Sequence, residues 1–332
     1  MRQTLDNYEV VVKQNLMNDL GGEITSVYPY KDIFVITDHN VFKLYENLLT
    51  AKLNMFNLKF VSVEPGEQSK SITTYQEVVQ KLLKLGMRKN HLLIALGGGV
   101  VGDLAGFVAA TLFRGTPFIQ IPTTLLAMVD SSIGGKTGLD LNEGKNLIGA
   151  YKNPLKVLID PAFLDTLPKV EYKNGLAEVL KHGLIGDPKL YEYLKLNDKL
   201  TLNEIKRAIQ VKLNIVKKDP FEQNERMFLN FGHTFGHAIE RHYDFAIKHG
   251  VAISYGMLIS LELGIKAKIT PANLFDDVKN ILLRLELVKE PLLDKKLFIE
   301  YIGFDKKNLA DGLRFVYIKN IGEPIINKGV EI

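Results

Sequence analysis

The stretch Leu92–Phe107, LLIALGGGVVGDLAGF, decides how this chain is organised. The apolar run Leu92–Leu96 has the length and composition of a buried β-strand, and three consecutive glycines follow it before a helical pattern begins. Glycines in such a turn let the backbone approach a ligand closely, and the free N–H groups of the helix N-terminus suit a pyrophosphate. With a second pair at Gly102 and Gly106, the pattern favours a phosphate- or dinucleotide-binding turn over a tight connection that binds nothing.

Further β-branched runs lie on both sides of this turn, and helical patterns separate them. Such alternation is typical of the parallel sheet of an α/β fold. The sequence therefore predicts an N-terminal Rossmann-like α/β domain over residues 1–165. Besides Leu92–Leu96, the predicted strands are Asp32–Thr37, Leu58–Glu64, Phe118–Ile121 and Lys156–Asp160.

Beyond about residue 171, apolar residues recur with the 3.6-residue period of amphipathic helices. We therefore predict a mostly α-helical domain over residues 166–332, with Pro161 and Pro168 marking the boundary. A cleft between two such domains is the usual place for a substrate. Strand character returns only at Leu313–Lys319 and around Pro324–Ile326. The predicted helices cover residues 171–185, 201–218, 226–243, 250–267, 272–285 and 292–302.

The composition excludes several classes of protein. The 42 Lys and Arg residues against 38 Asp and Glu residues give a formal charge of +4, too small for a nucleic-acid or membrane surface but suited to an anionic small molecule. Cysteine is absent, so any metal must be held by His and carboxylate side chains. The apolar stretch Gly250–Ile265 contains Glu262 and is too short for a membrane span. Because the N-terminus lacks an apolar segment of signal-peptide length, we expect a soluble cytoplasmic protein.

Polar side chains in the helical half recur at helical spacing. Intervals of 4, 4, 3 and 4 residues separate Glu222, Arg226, Asn230, His233 and His237. On one continuous helix, the positions from Arg226 to His237 would share a face about 60° wide. An isolated buried His is usually a hydrogen-bonded core residue, but two imidazoles, a cation and an amide on one stripe indicate a polar function.

The paired histidines predict a metal site. His249 lies twelve residues past His237 and precedes a glycine, so it is a candidate third ligand. Glu178, on an earlier predicted helix, could supply an oxygen ligand. Zinc held by histidines and a carboxylate, with one position open, is the standard catalytic arrangement in proteins without cysteine ligands.

The segment Gly134–Gly138, GGKTG, looks superficially like a P-loop. The leading glycine of that motif would stand at position 130, which is Asp130, so a nucleotide triphosphatase is disfavoured. Lys136, Lys145 and Asn146 remain as polar groups of a glycine-rich loop region, where lysines are most often only solvated.

With these residues assembled, the chain resembles the 3-dehydroquinate synthase family from about Asp38 to the segment 305–307. Many matches in the same order argue strongly against an accidental similarity. The matched motifs are TDHN at 37–40, PGEQSK at 65–70, GGGVVGDLAGF at 97–107, FRG at 113–115, PTTLLAMVDSSIGGKT at 122–137, GKN at 144–146, NGLAEVLK at 174–181 and LNFGHTFGHA at 229–238.

The resemblance implies two cofactors. Zinc, with cobalt as an alternative, would be held by Glu178, His233 and His249. The residues implied to surround NAD are Asp38, Asn40, Glu67, Lys70, Gly99, Val100, Val101, Gly102, Asp103, Thr123, Thr124, Lys136, Lys145, Phe163, Thr166 and Asn174.

The resemblance also implies the substrate site of a homodimer. Glu222 and His237 are the implied proton-transfer residues, and Arg114 is expected to reach the site of the partner subunit. The implied catalytic set also includes Lys136, Lys181, Arg226 and Asn230, and its lysines and Arg226 would mainly position the substrate. The full implied substrate set is Arg114, Asp130, Lys136, Asn146, Glu178, Lys181, Lys212, Arg226, Asn230, His233, His237, His249 and Lys307 or its neighbour Lys306.

The implied reaction is the second step of the shikimate pathway, toward chorismate and aromatic amino acids. In it, 3-deoxy-D-arabino-heptulosonate 7-phosphate becomes 3-dehydroquinate and phosphate through transient oxidation by NAD, elimination, re-reduction and aldol closure. The alternatives are another sugar-phosphate cyclase, of the 2-deoxy-scyllo-inosose or valiolone type, or an NAD- and metal-dependent polyol dehydrogenase of similar fold. One departure concerns the metal site: the family usually has Glu two residues after the third ligand, where this chain has Val251.

Overall fold

A computed structural model describes residues 1–298, 301 and 314–328 of the chain. The chain divides into two compact units, Met1–Leu167 and Pro168–Ile332. No helix in the described part is both long enough and apolar enough to cross a membrane. The NAD-binding role predicted for the first part of the chain, and the zinc- and substrate-binding role predicted for the second, are still predictions.

The first unit is built on a mostly parallel sheet. Its strands are β1 (Arg2–Leu5), β2 (Tyr8–Val12), β3 (Asp32–Asp38), β4 (Asn57–Val63), β5 (Leu92–Gly97), β6 (Phe118–Pro122), β7 (Lys136–Leu141), β8 (Gly144–Tyr151) and β9 (Lys156–Ile159). Seven of these described strands form one sheet in the order β1-β2-β9-β6-β5-β3-β4. Within this seven-stranded sheet only the β1–β2 pairing is antiparallel, which confirms the predicted α/β fold class.

Helices cover the apolar strands of this sheet, so the strands are buried on both faces and read as continuous apolar runs. The α-helices of the unit are α1 (Leu20–Thr25), α2 (His39–Lys52), α3 (Ile72–Lys84) and α4 (Gly99–Thr111). Helix α4 packs its apolar residues into the same core as β3, β5 and β6. That core includes Phe34, Leu93, Leu104, Val108 and Phe118.

The segment predicted to be a glycine-rich loop around Lys136, Lys145 and Asn146 is a β-hairpin, so this prediction was wrong. Strands β7 and β8 pair antiparallel and place Lys136 opposite Tyr151. Glycine is depleted in strands, and five glycines at 134, 135, 138, 144 and 149 hid the alternating pattern. Strands β1 and β2 were not predicted either.

The second unit is mostly helical, as predicted. Its α-helices are α5 (Lys169–Gly186), α6 (Pro188–Leu196), α7 (Leu202–Lys218), α8 (His233–His242), α9 (His249–Lys266) and α10 (Ala272–Arg284), followed by the hairpin β10 (Arg314–Asn320) and β11 (Glu323–Lys328). Helix α6 was not predicted. Of the helix predicted at 292–302, the structure describes a short 3-10 helix at Lys295–Phe298.

The single helix predicted over 226–243 is not formed, and this changes how its polar residues are arranged. A 3-10 helix covers Glu225–Asn230, and α8 begins only at His233, after Gly232 with φ +79°. The break brings Gly232 against α9, where an added Cβ would lie 2.7 Å from Cγ of Met257. Arg226 and Asn230 therefore do not share one helix face with the two histidines, contrary to the prediction.

Candidate active site

Predicted nucleotide-binding residues lie where the parallel strands of the first unit end. Strand β3 ends at Asp38, and its neighbour β5 ends at Gly97, directly before the glycine turn. The chain continues from β3 to β4 on one side, whereas β5 lies on the other side of β3. Ligands of open α/β sheets bind at such a reversal of strand order, outside the carboxyl ends of the strands. Asp38 and the glycine turn flank the crevice expected for a nucleotide.

Helix α4 presents its N-terminus at this crevice. It begins at Gly99, and among the described residues no side chain caps it. The first N–H groups of an α-helix have no acceptor within the helix, so those of Gly99, Val100 and Val101 are available to an anion. Gly102 belongs to the same first turn, and its N–H already bonds the carbonyl oxygen of Gly98 at 3.0 Å.

A buried lysine connects several of the predicted residues. Nζ of Lys70, which is only 4% exposed, lies 2.6 Å from Oδ2 of Asp103 and 3.9 Å from Oε1 of Glu67. It also donates to Oδ1 of Asn146 on β8. Burial lowers the pKa of Lys70, but the nearby carboxylates, Asp103 foremost, outweigh burial and raise it. Lys70 is therefore a fixed cation between the glycine-turn helix and the hairpin.

The structure adds Asp140 to this cluster, a residue that the sequence analysis missed. Its Oδ1 accepts the N–H of Asn146 at 2.7 Å and lies 3.9 Å from Nζ of Lys70. Lys145 reaches the edge of the cluster, with Nζ 4.0 Å from Oε1 of Glu67. Asp140 could have been predicted as an acidic residue in the strand that pairs with the strand of Asn146. That prediction would have required recognising the β7–β8 hairpin.

Other predicted nucleotide residues have local roles as well. Oδ1 of Asp38 accepts the N–H groups of Asn40 and Val41 at 2.9 and 3.0 Å, which caps helix α2. Phe163 packs edge-on against Tyr45 with ring centroids 4.8 Å apart, and the Tyr45 hydroxyl bonds Thr166. Two further residues of the set, Thr123 and Thr124, follow the end of β6.

Three further predicted residues of the first unit are placed as follows. Asp130 belongs to a helical turn at Ala127–Ser131, and Lys136 is the exposed first residue of β7. Arg114 is exposed, and both it and Phe113 have positive φ values, of 61° and 55°. Left-handed backbone in two successive non-glycine residues is strained, and such strain concentrates at functional positions.

In the second unit, three of the predicted side chains converge on one point. Oε1 of Glu178 lies 3.4 Å from Nε2 of His233 and 3.2 Å from Nε2 of His249. One donor atom of each residue lies within 4.8 Å of the others. Donors at about 2.0–2.2 Å from one tetrahedral ion are about 3.3–3.6 Å from each other, so this set fits a zinc-sized cation.

The other ring nitrogen of each histidine also faces an acceptor. Nδ1 of His233 lies 3.2 Å from the carbonyl oxygen of Phe231, and Nδ1 of His249 lies 3.4 Å from Oε1 of Glu240. An acceptor on Nδ1 favours the tautomer whose Nε2 lone pair is directed toward a metal. Glu240 was not predicted, although its position seven residues after His233 on one helix was a readable signal.

The electrostatics of this group suit a cation. Burial raises the pKa of Glu178, but an ion pair with Lys181 and contacts with both histidines outweigh it and hold the pKa well below the ordinary value. Burial, together with Lys181, lowers the pKa of His233. Burial also lowers the pKa of His249, but Glu178 and Glu240 outweigh burial and raise it to about 9.

His237 lies beside this donor group without belonging to it. Its ring centroid is 5.4 Å from that of His233 and 6.4 Å from that of His249. His237 is exposed, whereas the two donor histidines are half-buried. It can therefore act on a molecule next to a bound cation without ligating the cation itself.

The loop before α8 brings together Glu222 and Asn230. Oε1 of Glu222 accepts from Nδ2 of Asn230 at 2.7 Å, and Glu222 itself has a left-handed φ of 60°. Buried Asp219 holds the loop by accepting the N–H groups of Gln223, Asn224 and Arg226 at 2.7–3.0 Å. The sequence analysis did not identify Asp219 as the anchor of this loop.

The remaining predicted residues are placed as follows. Asn174 belongs to α5, and its Oδ1 accepts the N–H of Gly250, so it fixes the start of α9. Lys212 is buried on α7, and Arg226 is buried and donates to the carbonyl oxygen of Pro220. Lys306 and Lys307 lie outside the described residues.

Comparisons with known proteins identify the family of the chain. The models for the 3-dehydroquinate synthase N-terminal and C-terminal regions match residues 60–174 and 175–308. A 3-dehydroquinate synthase of Clostridium beijerinckii is 39% identical over 332 residues, which cover 97% of this chain and 95% of that protein.

Solved structures show the same fold. A 2-epi-5-epi-valiolone synthase from Streptomyces hygroscopicus, with NAD+ and Zn2+ bound, has a TM-score of 0.89 and 28% identity over 99% of this chain and 94% of that chain. An iron-containing alcohol dehydrogenase from Thermococcus thioreducens shares the fold at a TM-score of 0.65 and 16% identity, covering 90% and 89% of the two chains. The family models match most of the chain, and the Clostridium beijerinckii relative is 39% identical over nearly all of it. The chain therefore belongs to the 3-dehydroquinate synthase family.

Proposed function

We propose that this chain is a lyase that converts 3-deoxy-D-arabino-heptulosonate 7-phosphate into 3-dehydroquinate and phosphate. The observation that carries the proposal is the convergence of Glu178, His233 and His249 at the spacing of a tetrahedral cation site, with His237 beside them. Membership of the family supports the choice of substrate.

Two cofactors belong to the proposal. The valiolone synthase relative binds NAD+ and Zn2+, and the crevice at β3 and β5 and the Glu178 group provide matching places in this chain. When bound, NAD would take up and return a hydride, and the divalent cation would acidify a substrate hydroxyl. The free N–H groups at the start of α4 would hold the pyrophosphate of NAD.

The charged residues of the chain would bind and orient the substrate. Lys181, Arg226 and Lys212 are buried cations of the helical unit and would compensate the substrate's carboxylate and phosphate. Preorganised charges of this kind lower the barrier because they need no rearrangement during the reaction. His237 and Glu222 would transfer protons, His237 because it is exposed beside the cation site, and Glu222 because Asn230 fixes its carboxylate.

A homodimer with shared sites completes the proposal. The strained, exposed Arg114 is available to reach a neighbouring molecule, and the family resemblance supports its contact with the partner's substrate. An exposed arginine in an ordinary surface turn would have no need of two successive left-handed residues.

The test is a turnover experiment with limiting NAD. We expect phosphate release to exceed the NAD supplied many times over, with no net accumulation of NADH, because the same cofactor molecule is oxidised and reduced again. Accumulation of NADH in proportion to product would instead make the protein a dehydrogenase, the activity of its more distant fold relatives. Turnover of sedoheptulose 7-phosphate or glucose 6-phosphate, which lack the carboxylate, in preference to the proposed substrate would indicate a different cyclase.

A further inference from the structure

We propose that Glu240 is a positioning residue for the cation site: its carboxylate holds Nδ1 of His249, so that Nε2 of His249 is presented to the cation beside Glu178. This inference deepens the proposed function, because it rests on the same cation site. It concerns a residue that the sequence analysis did not identify.

The contact is made deep in the helical unit. Glu240 lies near the end of α8 and is 1% exposed, and its Oε1 is 3.4 Å from Nδ1 of His249. His249 is the first residue of α9 and its side chain is 27% exposed. A carboxylate buried this completely requires a polar or charged partner, and the imidazole of His249 provides one.

The two donor histidines are oriented by different means. His233 is held by the carbonyl oxygen of Phe231, two residues before it, so the backbone break at Gly232 sets its direction. His249 is held by a side chain from another helix. Its main chain is fixed separately, because Asn174 accepts the N–H of the next residue, Gly250.

No carboxylate is available from the α9 segment next to His249, because position 251 is Val. The acceptor on Nδ1 comes from α8 instead. His249 therefore lies between two buried carboxylates, with Glu178 on its Nε2 side and Glu240 on its Nδ1 side. A carboxylate behind a ligating imidazole fixes its tautomer and its ring orientation and makes it a stronger donor.

Replacing such a partner typically weakens metal affinity by about 10- to 100-fold. We expect a loss in this range for Glu240→Ala, which removes both the acceptor and the charge. Glu240→Gln keeps an amide oxygen as acceptor and loses only the charge, so its affinity should fall less. The control is Glu204→Gln, since Glu204 is a carboxylate 7% exposed that caps α7 and contacts none of the three donor residues in the described contacts.

The experiment measures Zn2+ dissociation constants of the full-length wild type and variants by competition with a chelator. In parallel, the Co2+-loaded proteins are examined by NMR for the exchangeable, paramagnetically shifted imidazole N–H protons. Wild type should show two such signals, from Nδ1–H of His233 and of His249. In Glu240→Ala the His249 signal should be lost to solvent exchange, whereas the His233 signal should remain as an internal reference.

The results separate this inference from the proposed function. An unchanged Zn2+ affinity and two unchanged N–H signals in the folded Glu240→Ala variant would overturn the inference. A wild type that binds no Zn2+ would overturn it together with the cation site. If wild type binds Zn2+, the Glu240 variants bind it more weakly and the phosphate assay still fails, only the proposed reaction is wrong.

Discussion

A Cβ placed on Gly256 would lie 2.0 Å from the carbonyl oxygen of Gly232, so the start of α8 and the middle of α9 are in backbone contact. The same contact brings Gly236 N within 2.8 Å of that Cβ position. Because His233 directly follows Gly232 and His249 begins α9, this contact sets the distance between two of the three donor residues. Close helix packing is thus a condition for the geometry of the cation site.

We expect Gly256→Ala to destabilise the protein and weaken Zn2+ binding. In an open helix the change would be favourable by about 1 kcal/mol, because alanine is the better helix former. Here the methyl group meets backbone atoms that cannot move aside, and overpacking costs about 1–3 kcal/mol or more. Thermal unfolding and metal content measure the two effects. Gly22→Ala in α1 is the matched control, since a Cβ there meets nothing within 4 Å, and equal behaviour of both variants would contradict the packing argument.

Lys70→Met should lower both the stability and the NAD affinity of the protein. The substitution leaves Asp103, Asp140 and Glu67 without the cation that lies among them. Breaking a fully buried ion pair from one side costs about 3–5 kcal/mol. The loss here should be smaller, because the side chains of Asp103 and Glu67 are 20% and 42% exposed. Chemical denaturation and NAD titration provide the measurements. Lys89→Met, at an exposed position, is the control. If Lys70→Met loses no more stability than this control, the charged cluster around Lys70 is well solvated.

The fold was largely readable from the sequence because parallel strands buried on both faces leave continuous apolar runs, as at Leu92–Leu96. The β7–β8 hairpin was not readable, since its glycines resemble a loop. The break at Gly232 was also missed. Helical spacing continues through it, and the cause of the break is the close approach of α9, which only the tertiary structure shows.

The sequence predicted only part of the candidate site. The motif residues Glu178, His233 and His249 do converge, but the single-helix argument used for His233 and Arg226 fails. Glu240 and Asp140 were missed because each contacts a side chain of another element, Glu240 that of His249 and Asp140 that of Lys70. The sequence does not show which elements become neighbours.

Replacing Asp219, the anchor of the loop before α8, should change how stability depends on pH. Burial raises the pKa of Asp219, but the N–H groups of Gln223, Asn224 and Arg226 outweigh burial and lower it. A carboxyl group whose pKa is lower in the folded state stabilises the protein above its unfolded pKa of about 3.9, and that contribution is lost as pH falls through the folded value.

In Asp219→Asn this contribution is absent, so the unfolding free energy should fall less steeply between about pH 5 and pH 2 than in wild type. At pH 7 the variant should be less stable by about 1–3 kcal/mol, because neutral hydrogen bonds replace charged ones. Urea denaturation across this pH range measures both effects. Asp198→Asn, at an exposed position, should retain the slope of wild type, and an identical slope in Asp219→Asn would show that the loop contacts do not depend on the charge.

The division between ligands and His237 can be tested by metal analysis. His233→Ala and His249→Ala should abolish activity and lower bound zinc, because a site with three protein ligands that loses one rarely keeps the ion. His237→Ala should lose activity and keep zinc, since His237 lies outside the donor group. Equal zinc loss in all three variants would show that His237 is a ligand.

The last prediction concerns Arg114 and the proposed homodimer. A solvated surface arginine changed to alanine usually alters stability by less than about 0.5 kcal/mol, so loss of activity in a stable Arg114→Ala protein would indicate a role in a site. If Arg114 serves the partner's site, mixing Arg114→Ala with His237→Ala should restore activity after subunit exchange. One site of each mixed dimer then contains both wild-type residues and the other contains neither, so equal mixing should restore about a quarter of the wild-type sites. His237 is the suitable second position because it is exposed, whereas Lys181 is buried against Glu178. Mixed dimers that form but remain inactive would mean that Arg114 acts within its own subunit.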